Sequence, residues 1–76
     1  MDIVKAAVGN GNLYEGEWYD GCPNGYGTMN YSTGSIYSGQ WLCGKRNGRG
    51  SMSFSTGDVY IGEWADDQKN GRGVYT

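Results

Sequence analysis

The chain has no histidine, one proline, two cysteines and one phenylalanine among its 76 residues. Without histidine the commonest acid–base residue is missing, and two cysteines outside a CxxC pair are too few for a structural zinc site. No apolar run approaches the roughly 20 residues of a membrane span. With so little proline and so many aromatic residues, disorder is a poor interpretation. We therefore expect a small folded domain with no catalytic residues, metal or cofactor, and with Cys22 and Cys43 as reduced thiols of a cytoplasmic protein.

Glycine and aromatic residues dominate what is present, with 15 glycines, seven tyrosines and three tryptophans. Glycine is costly inside helices and aromatic residues favour strands, so the composition argues for an all-β fold. The aromatic residues recur every 23 positions. The repeating rows are Tyr14, Tyr37 and Tyr60, then Trp18, Trp41 and Trp64, and glycine rows such as Gly27, Gly50 and Gly73.

These repeats resemble a known family. The segments YEGEWYDGCPNGYG, YSGQWLCGKRNGRG and YIGEWADDQKNGRG are similar to MORN (membrane occupation and recognition nexus) repeats over nearly the whole chain. We predict one domain over residues 1–76, with repeats at 14–36 and 37–59 and an incomplete one at 60–76. The resemblance implies a scaffold or adaptor at cytoskeletal structures or at the cytoplasmic face of a membrane.

Alternation of side chains predicts the architecture without the family. In a strand, successive side chains point to opposite faces, so Tyr37, Gly39 and Trp41 share one face of their strand. Turn residues separate two such strands in each repeat. We predict consecutive β-hairpins in a single-layer, twisted antiparallel sheet. Residues 3–8 are expected to form a leading half-repeat strand, with a short capping helix as the alternative.

Two further predictions concern the turn of the third repeat and the acidic residues of the first. Gly21 and Gly44 have Asp67 at the equivalent position of the third repeat, so we expect that connection to follow a different backbone path. Glu15 and Glu17 are expected to be solubilising charges on the opposite face from the rings.

The aromatic side of the sheet is the predicted binding surface. Its rings need room to lie against the sheet, and Gly27 and Gly50 are predicted to supply it. A single layer has no second layer to cover this side, so the sheet must curl until the rings cover one another, or a partner must cover them. The predicted partner is a helix or a second copy, and the predicted contacts are Tyr14, Trp18, Tyr37, Trp41, Phe54, Tyr60 and Trp64.

The sheet edges give a second route to association. An open sheet leaves an unpaired strand at each end, and such edges invite pairing with another chain. We therefore expect self-association through the edges or through the aromatic side.

Charge suggests the alternative function. A net charge of −2 disfavours nucleic acid as a partner. Five cations, however, follow the second and third tryptophans, and equivalent loops about 10 Å apart would align them in one stripe. That stripe would suit a phosphoinositide or another anionic lipid. Its residues are Lys45, Arg46, Arg49, Lys69 and Arg72.

Overall fold

The computed structural model describes residues 2–76 as one open antiparallel sheet of seven strands in chain order. No helix occurs in this part of the chain, so the predicted all-β, single-layer array of hairpins is confirmed. A strand, not a helix, occupies the leading segment. The strands are β1 Asp2–Val8, β2 Asn12–Tyr19, β3 Cys22–Asn30, β4 Ile36–Leu42, β5 Lys45–Ser53, β6 Val59–Ala65 and β7 Gln68–Tyr75.

Two-residue turns close the hairpin within each repeat. Both residues of each turn have positive φ, between 49° and 84°, which matches the right-handed twist of the flanking strands. The turns lie at residues 20–21, 43–44 and 66–67.

The third of these turns corrects one prediction. Asp67 has a φ of 69°, so it follows the same left-handed path as Gly21 and Gly44, and the expected different path is wrong. Aspartate tolerates this conformation better than most residues. Its Oδ1 accepts hydrogen bonds from the backbone N–H (2.8 Å) and Nε (3.1 Å) of Arg46, and these bonds anchor the turn against β5.

A bulge follows each turn. Registers shift between Gly16 and Trp18, and again at the equivalent residues of the next two repeats. Because the turns have only two residues, β3 already begins at Cys22 and β5 at Lys45. Residues 22–25 therefore belong to a strand, although their composition is typical of a turn.

The sheet is curved around its aromatic side. The Cα positions extend over 32 × 23 × 16 Å, and a flat pleated sheet would be far thinner in its third dimension. Of the two ways to cover the rings, the chain uses curling. The buried core contains Tyr14, Met29, Tyr37, Trp41, Met52, Tyr60 and Trp64.

Candidate binding site

Throughout, the aromatic face is the side of the sheet that carries the core residues, and the outer face is the opposite side. The tyrosines of the first two repeats sit deepest on the aromatic face. Tyr14 and Tyr37 have no exposed surface. Each hydroxyl donates to the backbone carbonyl three residues later, over 2.7 Å to Glu17 and 2.8 Å to Gln40. The ring therefore lies along its own strand and stays hydrogen-bonded although it is buried.

Glycines on the next strand make room for these rings, as predicted. A Cβ built on Gly27 would collide with the ring of Tyr14, and one built on Gly50 would collide with Tyr37. Neither glycine has a positive φ, so the need for glycine at these positions is steric and not conformational.

The tryptophans join neighbouring repeats. Trp41 Nε1 donates to the carbonyl of Gly27 over 3.0 Å, and its ring meets Tyr14 edge-on with centroids 5.6 Å apart. Trp64 makes the same two contacts one repeat later, with Gly50 and Tyr37. Edge-to-face pairs of this kind stabilise beyond the area they bury. The core thus consists of contacts between repeats as much as within them.

Burial changes the chemistry of two hydroxyls. Burial, with a smaller contribution from the charge of Glu17, raises the pKa of Tyr14 to about 12. Burial likewise raises the pKa of Tyr37 to about 12, although Arg46 and the bond to the Gln40 carbonyl work against that rise. Both rings are therefore neutral below pH 10, as members of a core rather than acid–base groups.

The predicted partner-binding residues divide by exposure. Tyr14, Tyr37, Trp41, Tyr60 and Trp64 are all at most 6% exposed, so in this conformation a partner touches almost none of their surface. Trp18 and Phe54 are only partly buried, and they remain available at the margins of the aromatic face.

Two further rings lie at this margin and were not among the predicted contacts. Tyr31 is partly buried, and Tyr75 is 54% exposed and stacks on Phe54 at 5.7 Å. Tyr75 occupies the repeat position of Met29 and Met52, so the alternation that placed those side chains on the aromatic face was the signal for it. We call Trp18, Tyr31, Phe54 and Tyr75 the marginal rings.

Cations lie directly over the aromatic face. Arg46 lies 4.8 Å from the ring of Trp64, and Lys69 Nζ is 4.4 Å from that of Tyr75. Such placement is attractive because the ring face carries partial negative charge. Arg46 also forms an ion pair with Asp67 at 3.1 Å.

The predicted cationic stripe is split by this arrangement. Arg46 and Lys69 lie over rings, whereas Arg49 and Arg72 border a depression of about 580 Å³ that Ile61 and Val74 line on the outer face. Lys45 is exposed near the turn. Residues 46 and 49 are an odd number of positions apart, and the alternation of a strand already signals opposite faces for such a pair. The expectation of one continuous stripe is wrong.

Glu17 has a structural role that the sequence interpretation missed. Its Oε1 accepts the backbone N–H of Tyr26 at 2.6 Å, inside the bulge of β3. Gln40 does the same for Arg49 at 2.6 Å. Glu17 is therefore not merely a solubilising charge, because its side-chain oxygen replaces the hydrogen-bond partner that the bulge removes from the ladder.

Other chemical groups offer no further site in residues 2–76. Cys22 and Cys43 are free thiols. Across the described chain, no three residues of the types His, Cys, Asp and Glu come together as metal ligands. The same part of the protein contains no helix that is long and apolar enough to cross a membrane.

Comparison with known proteins agrees with this architecture. The MORN repeat family matches residues 14–36, 37–59 and 60–76. No curated protein matches the chain significantly. MORN repeats form a non-enzymatic repeat module, and they generally take part in protein–protein or membrane interactions. Three consecutive matches cover most of the sequence, and the chain belongs to the MORN repeat family.

Proposed function

We propose that this chain is a non-enzymatic scaffold or adaptor module that holds a protein segment on its aromatic face. The observation that carries the proposal is the set of incompletely buried rings, Trp18, Tyr31, Phe54 and Tyr75, beside a core that is otherwise closed. Aromatic residues are enriched where proteins bind one another, because they combine a large apolar surface with few rotatable bonds.

The predicted contacts take two roles in this proposal. Trp18 and Phe54 touch the partner directly, together with Tyr31 and Tyr75. The buried rings below them, Tyr14, Tyr37, Trp41, Tyr60 and Trp64, fix the shape of the face and hold the marginal rings in position.

Charge narrows the chemistry of the partner. Arg46 is already paired with Asp67, whereas Lys69 has no carboxylate within 4.0 Å among residues 2–76. An apolar segment with an acidic side chain opposite Lys69 fits this face, and an amphipathic helix supplies that combination. A helix of this kind is therefore the partner that we propose for the aromatic face.

Anionic lipid is the second candidate, since Lys45, Arg49 and Arg72 remain exposed. Each basic residue near a membrane surface contributes about 1 kcal/mol. Three residues that form no common stripe with Arg46 and Lys69 give weak attachment at most. Flotation with phosphoinositide vesicles tests this candidate, with neutral substitutions at Lys45, Arg49 and Arg72 as the matched variant.

Photo-cross-linking in cells tests the main proposal. A benzophenone amino acid replaces Phe54 on the aromatic face in one sample and Tyr26 on the outer face in the matched control. Tyr26 is 64% exposed, so the control is at least as accessible. Protein adducts from position 54 that position 26 does not give are expected. Equal adducts from both faces, or lipid adducts alone, contradict the proposal.

The same cells report location. We propose that the chain works in the cytoplasm, at the cytoskeleton or the cytoplasmic face of a membrane. Fluorescence of the tagged protein in any other compartment contradicts this placement.

A further inference from the structure

The outer face changes its character between the second and the third repeat. On β4, Ser38 shares a hydrogen bond of 3.2 Å with Thr28 of the neighbouring strand. Gln40 uses both ends of its amide: Nε2 donates to the Tyr26 hydroxyl over 3.2 Å, and Oε1 accepts the backbone N–H of Arg49. The polar side chains of this part of the outer face are therefore hydrogen-bonded to one another.

The equivalent residues on β6, 23 positions later, lack such partners. Ile61 stands where the earlier repeat has a serine, and it lies opposite Val74 across the β6–β7 ladder. Glu63 stands where the earlier repeat has a glutamine, and it lies opposite Arg49. Within residues 2–76, no cation comes within 4.0 Å of its carboxylate. An apolar pair and unpaired charges thus replace the hydrogen-bonded side chains.

These residues surround the depression of about 580 Å³ on the outer face. Arg49 on β5 and Arg72 on β7 border it on two sides, and Ile61 and Val74 give it an apolar wall. Its floor is β6, which is paired with β5 and with β7, so its shape depends only on strands that the structure describes. Sites for small ligands typically have volumes of about 300–1,000 Å³. The depression is therefore large enough for one or two residues of a peptide.

The charges around the depression favour an anion. Two guanidinium groups face one carboxylate, that of Glu63, and neither Arg49 nor Arg72 has a carboxylate within 4.0 Å in the described part of the chain. The backbones of β5 and β7 are two strand spacings apart, about 10 Å. Arginine side chains are long and flexible, so both heads can reach one group above β6. The planar guanidinium group matches a carboxylate particularly well.

The apolar wall narrows the choice of anion. Ile61 and Val74 are 54% and 64% exposed, and they lie directly beside the two arginines. Single exposed aliphatic residues are common, but an adjacent pair next to unpaired cations suits a ligand that is apolar and anionic at once. The last residue of a peptide carries a carboxylate and a side chain on the same carbon. An aliphatic residue at a C-terminus therefore supplies both groups at the required separation.

We propose that this depression binds the C-terminus of a partner peptide whose last side chain is aliphatic. The carboxylate lies between Arg49 and Arg72, and the aliphatic side chain packs on Ile61 and Val74. The depression is on the opposite side of the sheet from the marginal rings. The inference is therefore independent of what binds the aromatic face, and both sides can be occupied together.

Nuclear magnetic resonance on the isotopically labelled full chain tests the proposal with small probes. N-acetyl-leucine carries both groups, N-acetyl-leucinamide carries the side chain without the charge, and acetate carries the carboxylate alone. We expect N-acetyl-leucine to shift the Nε–H signals of Arg49 and Arg72 and the amide signals of Ile61 and Val74 in a saturable way. Its dissociation constant should be at least about fivefold below that of acetate, because its side chain leaves water.

The other probes show how the proposal fails. N-acetyl-leucinamide should give no saturable shift of the arginine signals, since it has no charge for them to bind. No saturable shift with N-acetyl-leucine, or binding of acetate or inorganic phosphate as tight as that of N-acetyl-leucine, overturns the proposal. The last result would make the depression a general anion site.

Three variants test whether the arginines hold the carboxylate. Arg49→Gln and Arg72→Gln each remove one guanidinium group, and we expect each to raise the dissociation constant of N-acetyl-leucine at least about fivefold. Lys5→Gln is the matched control, because it removes an exposed cation from β1 at the far end of the sheet. It should leave the dissociation constant unchanged. An equal loss in all three variants would reflect net charge alone and would contradict the assignment.

Two further variants separate the apolar contact from the charge. Ile61→Ser restores the residue type of the earlier repeat, and it should abolish the preference for N-acetyl-leucine over acetate. Glu63→Gln keeps the shape of the depression and removes its one negative charge, so both anions should bind more tightly. If Ile61→Ser retains the full preference, the aliphatic side chain does not lie on this wall and the proposal is wrong.

Discussion

Trp18 and Trp41 occupy the same position of the repeat, four residues after a buried tyrosine, but only one of them is enclosed. Trp41 is 4% exposed and bonds to Gly27 of the preceding repeat, whereas Trp18 follows β1 and lacks that bond among residues 2–76. Both hairpins share the Tyr-x-Gly-x-Trp pattern. The difference teaches that burial in this fold is supplied by the preceding repeat, as expected for an array whose units contact only their neighbours.

Truncating the two tryptophans is the strongest test of this comparison. We expect Trp41→Ala to lower the free energy of unfolding by about 3–5 kcal/mol, because it removes a buried ring from the junction. Trp18→Ala should cost about 1–2 kcal/mol, since its ring is already partly hydrated. Urea unfolding followed by circular dichroism measures both. Equal costs would show that the preceding repeat contributes little to burial.

Alkaline pH probes the two rings that a following tryptophan covers. The folded-state pKa values of Tyr14 and Tyr37 lie near 12, above the ordinary value of 10. Stability from keeping these rings neutral is therefore complete below pH 10, and it is lost as the pH rises towards 12. The loss is on the order of 2–3 kcal/mol for each ring.

Unfolding titrations between pH 9 and pH 12 test this expectation. Tyr14→Phe and Tyr37→Phe should each make stability less dependent on pH in that window. Tyr26→Phe, which removes a tyrosine hydroxyl from the outer face and leaves the core untouched, is the matched control. A wild-type stability that is flat to pH 12 contradicts the burial argument.

Adding a methyl group compares an interior strand with the edge strand. The new Cβ of Gly50→Ala meets the ring of Tyr37 in a strand that is paired on both sides, and overpacking of this kind costs about 1–3 kcal/mol. Gly73→Ala meets Tyr60 in the same way, but within residues 2–76 β7 is paired with β6 alone and can shift outwards. We expect Gly73→Ala to lower the free energy of unfolding, measured in urea, by less than half as much as Gly50→Ala. Ser51→Ala, beside Gly50 on the outer face, is the neutral control.

The sequence was sufficient to predict the architecture and to predict which side chains share a face of the sheet. A period of 23 residues, with Tyr37 and Trp41 an even number of positions apart, predicts a sheet with its rings on one side. The same alternation explains why Gly27 and Gly50 lie beneath rings. These features depend on local geometry, which a strand repeats without reference to the rest of the chain.

Curvature and bulges were not predictable in the same way. How completely Tyr37 is covered depends on the angle between strands, which no single repeat specifies. Two of the three bulges are held by one side-chain oxygen, from Glu17 or Gln40, that reaches a backbone N–H nine residues away. In the sequence, a glutamate at that position is indistinguishable from a solvated charge. The predicted site therefore differs most from the structure at residues whose environment depends on contacts across strands.

The side-chain hydrogen bonds at the bulges give the smallest expected effects. Here we expect the two repeats to behave alike, in contrast to the two tryptophans. The bond from Tyr26 N–H to Glu17 and that from Arg49 N–H to Gln40 are both 2.6 Å long and lie within single hairpins. Glu17→Ala and Gln40→Ala should each cost about 1 kcal/mol, with a slightly larger cost at Gln40 because its Nε2 also donates to the Tyr26 hydroxyl of the preceding repeat over 3.2 Å. Glu17→Gln keeps the accepting oxygen and should stay within about 0.5 kcal/mol of the wild type. If Glu17→Gln is as costly as Glu17→Ala in urea unfolding, the negative charge matters and not the acceptor. Similar losses of unfolding free energy for Glu17→Ala and Gln40→Ala would show that each hairpin holds its own bulge. Unequal losses for Trp18→Ala and Trp41→Ala would show that burial of the tryptophan depends on the preceding repeat.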